Sequence, residues 1–317
     1  MTPREPFFTQ PAPLPPARER VPAANDEILL VANPNATRLR DGDQIAEARR
    51  LLEAAGARVE LRVPRNLQEL EASFDPLDCG RRIALLGGDG TLHAVANLFP
   101  CPQHEIAILP VGGANNVAQS LGVPLDLRAA AENAVRGVTR PLDRIVASTP
   151  EQRYAAIEGV SVGFQAMARA RYRGENSTAI WAALSAGLGV MVTFRAPCVE
   201  VDSDERRVSG PVDQLFVANL RRYAFGLQVA PHADPSDGLA DVISIRRRGR
   251  LSLVPMLARL KRGSHLGRPG VDVWRAPRLR IDTGGRSPVI CDSTNLGTGP
   301  VELQVEAGAL TVVVPAG

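Results

Sequence analysis

The chain is almost without lysine: Lys261 is its single one, so nearly all positive charge is carried by arginine. Basic residues number 37 and acidic ones 34, a net charge of +3 from which no function is read and no nucleic-acid partner is expected. Long apolar runs are also missing. The nearest, Ala179 to Phe194, is broken by Gly187 and Gly189 and is too short to cross a bilayer. Met1 to Ala24 is Pro-rich with scattered Arg and lacks the apolar segment of a secretory signal, so it reads as a disordered tail. Cys79, Cys101, Cys198 and Cys291 are far apart and form no C-x-x-C pair, which argues against a zinc site or a disulfide framework and fits a reducing cytoplasm. There is no internal repeat. What remains is a soluble globular composition, 44% hydrophobic and 22% charged over 317 residues, enough for two domains.

Within that composition one stretch is unusual. Ile83 to Leu86 is an apolar run that breaks into Gly87-Gly88-Asp89-Gly90-Thr91 and then into helical spacing through Leu92, Val95 and Leu98. Strand, tight loop and helix N-terminus is the arrangement with which backbone N–H groups cradle phosphate. Asp89 would repel a bare phosphate. It is therefore expected to face one through a divalent cation, or to bond a ribose or a backbone group; the plainer alternative is that it caps a turn.

Two more polar loops follow apolar runs. Ile28 to Ala32 leads into Asn33-Pro34-Asn35-Ala36-Thr37, and Ile106 to Leu109 leads into Pro110-Val111-Gly112-Gly113-Ala114-Asn115-Asn116, which opens a helix through Val117, Ala118 and Leu121. Helical spacing at Ile45 to Ala55 and Leu67 to Phe74, with a strand at Val59 to Val63 between them, completes a strand and helix alternation. Such alternation predicts a parallel sheet, with a ligand crevice at the carboxyl ends of its strands where all three loops emerge.

After Asp143 the pattern turns to short alternating segments: Tyr154 to Val160, Val199 to Val201, Leu215 to Ala218, Leu239 to Ile245, Val271 to Trp274, Leu279 to Ile281 and Val289 to Cys291. They predict an antiparallel, sandwich-like domain interrupted by helices at Ala179 to Val192 and Leu251 to Arg262. The expected organisation is a tail over 1–25, an α/β nucleotide-binding domain over 26–140 and a β-rich domain over 141–300. Strands at Val301 to Val305 and Leu310 to Val314, within 301–317, are expected to return to the first domain.

The three loops in this order, with Val217-Ala218-Asn219, Val229-Ala230-Pro231, Asp234 to Asp241 and the terminal Val289-Ile290-Cys291-Asp292, resemble the bacterial diacylglycerol kinase and sphingosine kinase family from about Ile28 to Pro315. The resemblance implies an α/β domain and a β-sandwich-like domain with ATP in the cleft between them, and transfer of its γ-phosphoryl group to a lipid hydroxyl of diacylglycerol type. It carries ATP contacts onto Asn33, Gly87, Gly88, Asp89, Gly90, Thr91 and Gly113. It carries a Mg²⁺ site onto Asp234, Asp237 and the backbone carbonyl of Leu239. It also implies a lipid partner, peripheral contact with the inner membrane face and room for a homodimer.

The sequence departs from the family pattern at three places. Pro64 stands where the family has a nucleotide-contacting threonine, Gly112-Gly113 where it reads Gly-Thr, and Asp292-Ser293-Thr294 where it reads Asp-Gly-Glu. Thr294 thus occupies the position of the family's base, and threonine cannot take a proton near neutral pH. Asp292 could substitute only if the strand end were rotated. A pseudokinase that binds nucleotide or lipid in a regulatory role is the second reading, and a NAD kinase a third. Arg246 to Arg268 form a basic cluster about a helix with Leu253, Leu257 and Leu260 on its other side, read as an ordinary packed helix ahead of a membrane-surface one. His93, His104 and His232 show no ligand spacing and are expected to be structural or exposed. Trp181, Met191, Phe194 and Phe225 are read as core ahead of a lipid pocket.

Overall fold

A computed structural model describes residues 27–33, 42–74, 80–98, 104–171, 193–204, 206–224, 226–247, 249 and 252–316. The 1–25 tail, Pro34 to Thr37, Cys79, Cys101, the helix expected at Ala179 to Val192 with Trp181 and Met191, Phe225, Arg248 and Arg250 lie outside them.

The first half is a parallel sheet of β1 (Glu27–Ala32), β2 (Arg58–Arg62), β3 (Arg82–Gly87) and β4 (Glu105–Pro110), in the order β2-β1-β3-β4. β3 and β4 are buried at every position, as strands covered on both faces must be. Their alternate side chains divide between two cores. On one face Leu29, Val31, Ile83 and Leu85 pack under α3 (Asp89–Leu98) through Leu92, Val95 and Ala96. On the other, Ile28, Leu30, Ala84 and Leu86 pack under α1 (Gly42–Ala54) through Ala48 and Leu52 and under an Ala-rich helix through Ala130 and Ala134. Two short helices, α2 (Leu67–Glu71) and α4 (Asn116–Ser120), begin at the strand-end loops or beside them. The Ala-rich helix, α5 (Leu127–Arg136), was not expected from sequence because its fully buried positions are Ala130, Ala131, Asn133 and Ala134, small or polar residues that set no apolar period, with Leu127 and Val135 only half-buried beside them.

The second half is antiparallel. β5 (Val138–Ser148), β6 (Arg153–Ala156), β7 (Gly159–Gly163), β8 (Cys198–Ser203), β9 (Arg207–Ala218), β10 (Ala240–Arg246), β11 (Val271–Ala276), β12 (Arg278–Asp282), β13 (Val289–Cys291), β14 (Thr294–Asn295) and β15 (Val301–Val314) are joined by α6 (Phe164–Arg171) and α7 (Leu253–Arg262). One core joins Val162, Leu215 and Val289 of β7, β9 and β13 to Val201, Ile281 and Leu303 of β8, β12 and β15, which is the packing of a β-sandwich.

Three features differ from the sequence expectation. Tyr154 to Val160 is two strands, split at Ile157 and Glu158, whose N–H groups serve a side chain instead of a ladder. The two terminal runs are one strand with an irregularity between Glu306 and Leu310, paired with β12, with β5 and, in parallel, with β4. β5 runs across the 140/141 boundary, so the two halves share β5 and β15 in place of a linker. A helix at Leu253–Arg262 is present with Leu253, Met256 and Leu260 buried and Arg259, Lys261 and Arg262 in its last turn, so its apolar side is used for packing.

Candidate functional site at the strand ends

β1, β3 and β4 finish in register. Ala32 pairs with Leu86 and Gly87 with Pro110, the Asn33 N–H donates to the Leu86 carbonyl at 3.2 Å, and the Val111 N–H donates to the Gly87 carbonyl at 3.0 Å. The first residues of all three polar loops therefore leave one sheet edge side by side. Asn33 Nδ2 donates to Thr91 Oγ1 at 3.1 Å, tying the first loop to the second. The second and third loops touch through backbone: a Cβ on Gly112 would stand 2.7 Å from Gly88 Cα, and one on Gly88 would stand 3.0 Å from Gly112 Cα. Only glycine permits that approach. Over Gly90 and Gly113 a Cβ would meet nothing within 4 Å, so open space lies above both loops. At the start of α3 the Thr91 and Leu92 N–H groups already donate to the Gly88 carbonyl, at 3.0 and 3.4 Å, so phosphate there would meet the earlier N–H groups of the loop and the positive end of the helix.

Of the roles open to Asp89, the structure shows the bond to backbone. Its two oxygens accept from the N–H groups of Asn116 at 3.0 Å and Val117 at 3.1 Å, so it caps α4 from the neighbouring loop. The reason is local. Asn115, at the N-cap of α4, lies in the left-handed region at φ 48° and uses its side chain on both backbone groups of Gly112, leaving the helix donors uncapped. A carboxylate from the second loop supplies the missing anion.

Beneath these loops is a buried polar cluster that sequence spacing does not reveal. His93 Nε2 lies 3.0 Å from Glu158 Oε1 and 3.3 Å from Asp292 Oδ2. Asn116 Nδ2 donates to Glu158 Oε2 at 2.9 Å. Asp292, itself at φ 49°, accepts from the N–H groups of Ile157, Glu158 and Gly159 at 2.9, 3.0 and 3.0 Å, which explains the break between β6 and β7. His93, Glu158 and Asp292 are 4%, 4% and 7% exposed. Burial opposes charge on His93, yet the Asp292 and Glu158 carboxylates outweigh it and push its pKa up to about 9. Burial, opposed by His93, pushes Glu158 up to about 7, and burial also raises Asp292 against the pull of His93 and its three backbone donors. Asp292 is thus clasped by backbone and turned to His93. His93, expected to be structural or exposed, is at the centre of the site. Its only sequence signal is its place one turn into the helix that follows Gly90.

The departures from the family pattern are placed as well. Pro64 is buried, Gly113 is exposed at the open side of its loop, and half-buried Thr294 hydrogen-bonds Tyr154. Asp234 Oδ1 accepts from the N–H and hydroxyl of Ser236, and Asp237 accepts from the Leu239 N–H and, at 3.0 Å, from Arg275 Nη1. Asp143 binds this stretch to β15 by accepting from the N–H groups of Gly238 and Gly308, each at 2.7 Å. Among the described residues no three His, Cys, Asp or Glu side chains are gathered as metal ligands. Asp237 thus spends its carboxylate on a backbone N–H and a guanidinium, while Asp234 uses one oxygen, Oδ1, on its own loop. Phe194 packs edge-on against Phe164 in a small core with Leu253.

A cavity of about 280 Å³ opens beside the cluster, bounded by Gly90 of the second loop, His93, Tyr154, Ser293 and the apolar Leu67 and Ala94. The site can therefore hold phosphates at the start of α3 and present an apolar recess beside a buried imidazole one turn further along the same face.

The chain matches the diacylglycerol kinase catalytic domain over residues 27–147 and the YegS C-terminal NAD kinase beta sandwich-like domain over 158–314. It is 24% identical over 237 residues to the diacylglycerol kinase of Bacillus subtilis (strain 168), covering 74% of this chain and 77% of that one. It is 25% identical over 242 residues to the diacylglycerol kinase of Mycobacterium tuberculosis (strain ATCC 25618 / H37Rv), covering 74% and 76%. A crystal structure of a diacylglycerol kinase from Bacillus anthracis str. Sterne superposes with a TM-score of 0.68 at 17% identity, over 92% of this chain and 98% of that one. With matched domains on both halves, in the order and architecture found here, the chain belongs to the bacterial diacylglycerol kinase family of lipid kinases.

Proposed function

We propose that the protein transfers the γ-phosphoryl group of ATP to the hydroxyl of a lipid of diacylglycerol type. The observation that carries this reading is the cavity that joins the open side of the glycine loops, at Gly90, to an apolar wall at Leu67 and Ala94 with a buried titratable group between them. ATP bound at the loops supplies the transferable phosphoryl group. Asn33 and Thr91 fix the first two loops against each other, Gly88 and Gly112 let the second and third approach, and Asp89 holds α4 in place. The Mg²⁺ that phosphoryl transfer ordinarily uses is taken to arrive with the nucleotide. No helix of the described residues is long and apolar enough to cross a membrane, so the lipid is expected to be reached at a bilayer surface, with the Arg259, Lys261 and Arg262 turn as the basic face. Nothing in the comparisons favours a non-catalytic nucleotide binder, since the relatives are named as kinases.

Purified protein incubated with γ-labelled ATP, Mg²⁺ and a panel of lipids in mixed micelles tests the reading. Label in a lipid bearing a free hydroxyl, absent with Gly88→Val, is the expected result. Label in no lipid, or label in NAD instead, overturns it.

A further inference from the structure

A diacylglycerol brings insoluble chains with its hydroxyl, so the shape of the recess decides how such an acceptor arrives. Gly90, Ala94 and Leu98 line it at positions i, i+4 and i+8 of α3, with His93 and Asn97 beside them. The recess is therefore a groove along one stripe of the helix, ~12 Å long at 1.5 Å per residue, beginning at the second glycine loop. Few polar groups are left to it. Asn97 Nδ2 donates to the His93 and Ala155 carbonyls at 2.8 and 2.9 Å, its oxygen accepts from the Ala155 N–H at 2.8 Å, and His93 is turned to Glu158 and Asp292. The Tyr154 hydroxyl is engaged by Thr294. That leaves the Gly90 backbone and Ser293 in a wall otherwise made by apolar groups.

Size then limits what enters. A volume of about 280 Å³ has room for about nine groups the size of a water molecule, at ~30 Å³ each. That suffices for the hydroxyl-bearing end of a glycerolipid and the start of one chain, and it is too little for both acyl chains of a diacylglycerol. The chains must stay in the bilayer while the hydroxyl reacts, so the mouth of the recess must meet the membrane.

Leu67 stands at that mouth. It lines the recess and is 57% exposed, the highest value for a large apolar side chain among the described residues. Leu61 and Val63, at the end of the edge strand β2, are exposed as well. Scattered exposed leucines are common on any surface, but the backbone that carries this one is fixed. Leu70 and Phe74 anchor α2 in the core under α3. A reciprocal cap holds its first turn: the Glu69 N–H donates to Asn66 Oδ1 at 2.8 Å, Asn66 Nδ2 donates to Glu69 Oε1 at 3.1 Å, and the Arg65 N–H donates to Glu69 Oε2 at 2.8 Å. Arg65, beside Leu67 in the chain, is exposed and brings a cation to the same edge.

Resting on the lipid kinase reading, we propose that the start of α2 is the membrane lip of the acceptor recess, with Leu67 entering the acyl region of an anionic bilayer and Arg65 lying at its phosphates. The acceptor then slides its hydroxyl along α3 to the glycine loop with its chains still in the leaflet. Apolar insertion beside a basic residue is the pattern of interfacial binding.

The experiment reads Leu67→Trp fluorescence, with wild type as the reference, on vesicles of phosphatidylcholine and phosphatidylglycerol, beside kinetics of Leu67→Ser on diacylglycerol in the same vesicles. The expected result is a blue shift on adding vesicles, quenching by bromine on the lipid chains, and a smaller shift when Arg65→Ser is added. In Leu67→Ser the apparent KM for diacylglycerol should rise at least ~10-fold, the worth of one buried leucine, with ADP affinity retained. A folded Leu67→Trp that phosphorylates diacylglycerol without any vesicle-induced shift overturns the lip and leaves the kinase reading standing. An emission already blue before vesicles are added, in a protein that scatters light as a dimer, shows that a second copy covers Leu67 and also overturns the lip. Insertion by a protein whose wild type labels no lipid supports the membrane contact and overturns the kinase reading alone.

Discussion

Three side chains that make little impression in the sequence, His93, Glu158 and Asp292, become a unit because the fold buries them together. Each alone would be costly to bury, and a histidine between two carboxylates is the arrangement in which the charges offset one another. That has a consequence for stability. The pKa of His93 stands near 9 in the folded protein against 6.5 as its ordinary value, so its contribution is complete below about pH 6.5 and is lost as pH rises through about 9. The interval corresponds to roughly 3 kcal/mol. Urea unfolding at pH 7 and pH 10 should show wild type losing more stability over that range than His93→Gln, in which the titrating ring is absent. Equal losses in the two proteins would mean that His93 is not held as an imidazolium.

The elements that build the site do so through loop-to-loop contacts, and the least replaceable is the clasp of Asp89 on α4. A five-residue helix has almost no stability of its own, so its first N–H groups depend on that carboxylate. Asp89→Ala should cost about 1–2 kcal/mol in urea unfolding, the range of a lost helix cap, and should weaken ADP binding by letting the second and third loops separate. An Asp89→Ala protein as stable as wild type with unchanged ADP affinity would show that the clasp is dispensable. The parallel strands and their glycine loops were legible in the sequence because apolar runs ending in glycine state both the strand and its exit. The role of Asp89 was legible only as one of several alternatives, since its partners Asn116 and Val117 lie 27 and 28 residues on and no local pattern marks them. His93 was read as structural or exposed because burial between distant Glu158 and Asp292 is set by topology, not by spacing. The Asp234 to Asp241 stretch has the composition of a metal loop, but only the packing of β11 reveals Arg275 on Asp237.

Across the whole molecule the two halves are stitched rather than hinged. β15 pairs with β12 in the sandwich and with β4 in the nucleotide half, while Glu306 on the same strand joins Arg144 and Arg153, and Arg144 also reaches the Ala96 carbonyl near the end of α3. Phosphate cradle and acceptor recess are thereby held next to each other along one face of α3, with Gly90 at the first and His93, three residues on, at the second. That separation of duties is the central claim, and calorimetric titration of ATP into wild type, Gly88→Val and His93→Gln tests it most directly. A branched side chain at position 88 enters the 3.0 Å approach to Gly112, so ATP affinity should fall at least ~10-fold in Gly88→Val. His93→Gln should bind ATP as wild type does, because its change lies on the acceptor side. Equal affinity in wild type and Gly88→Val, or loss of ATP binding in a folded His93→Gln, would contradict the division.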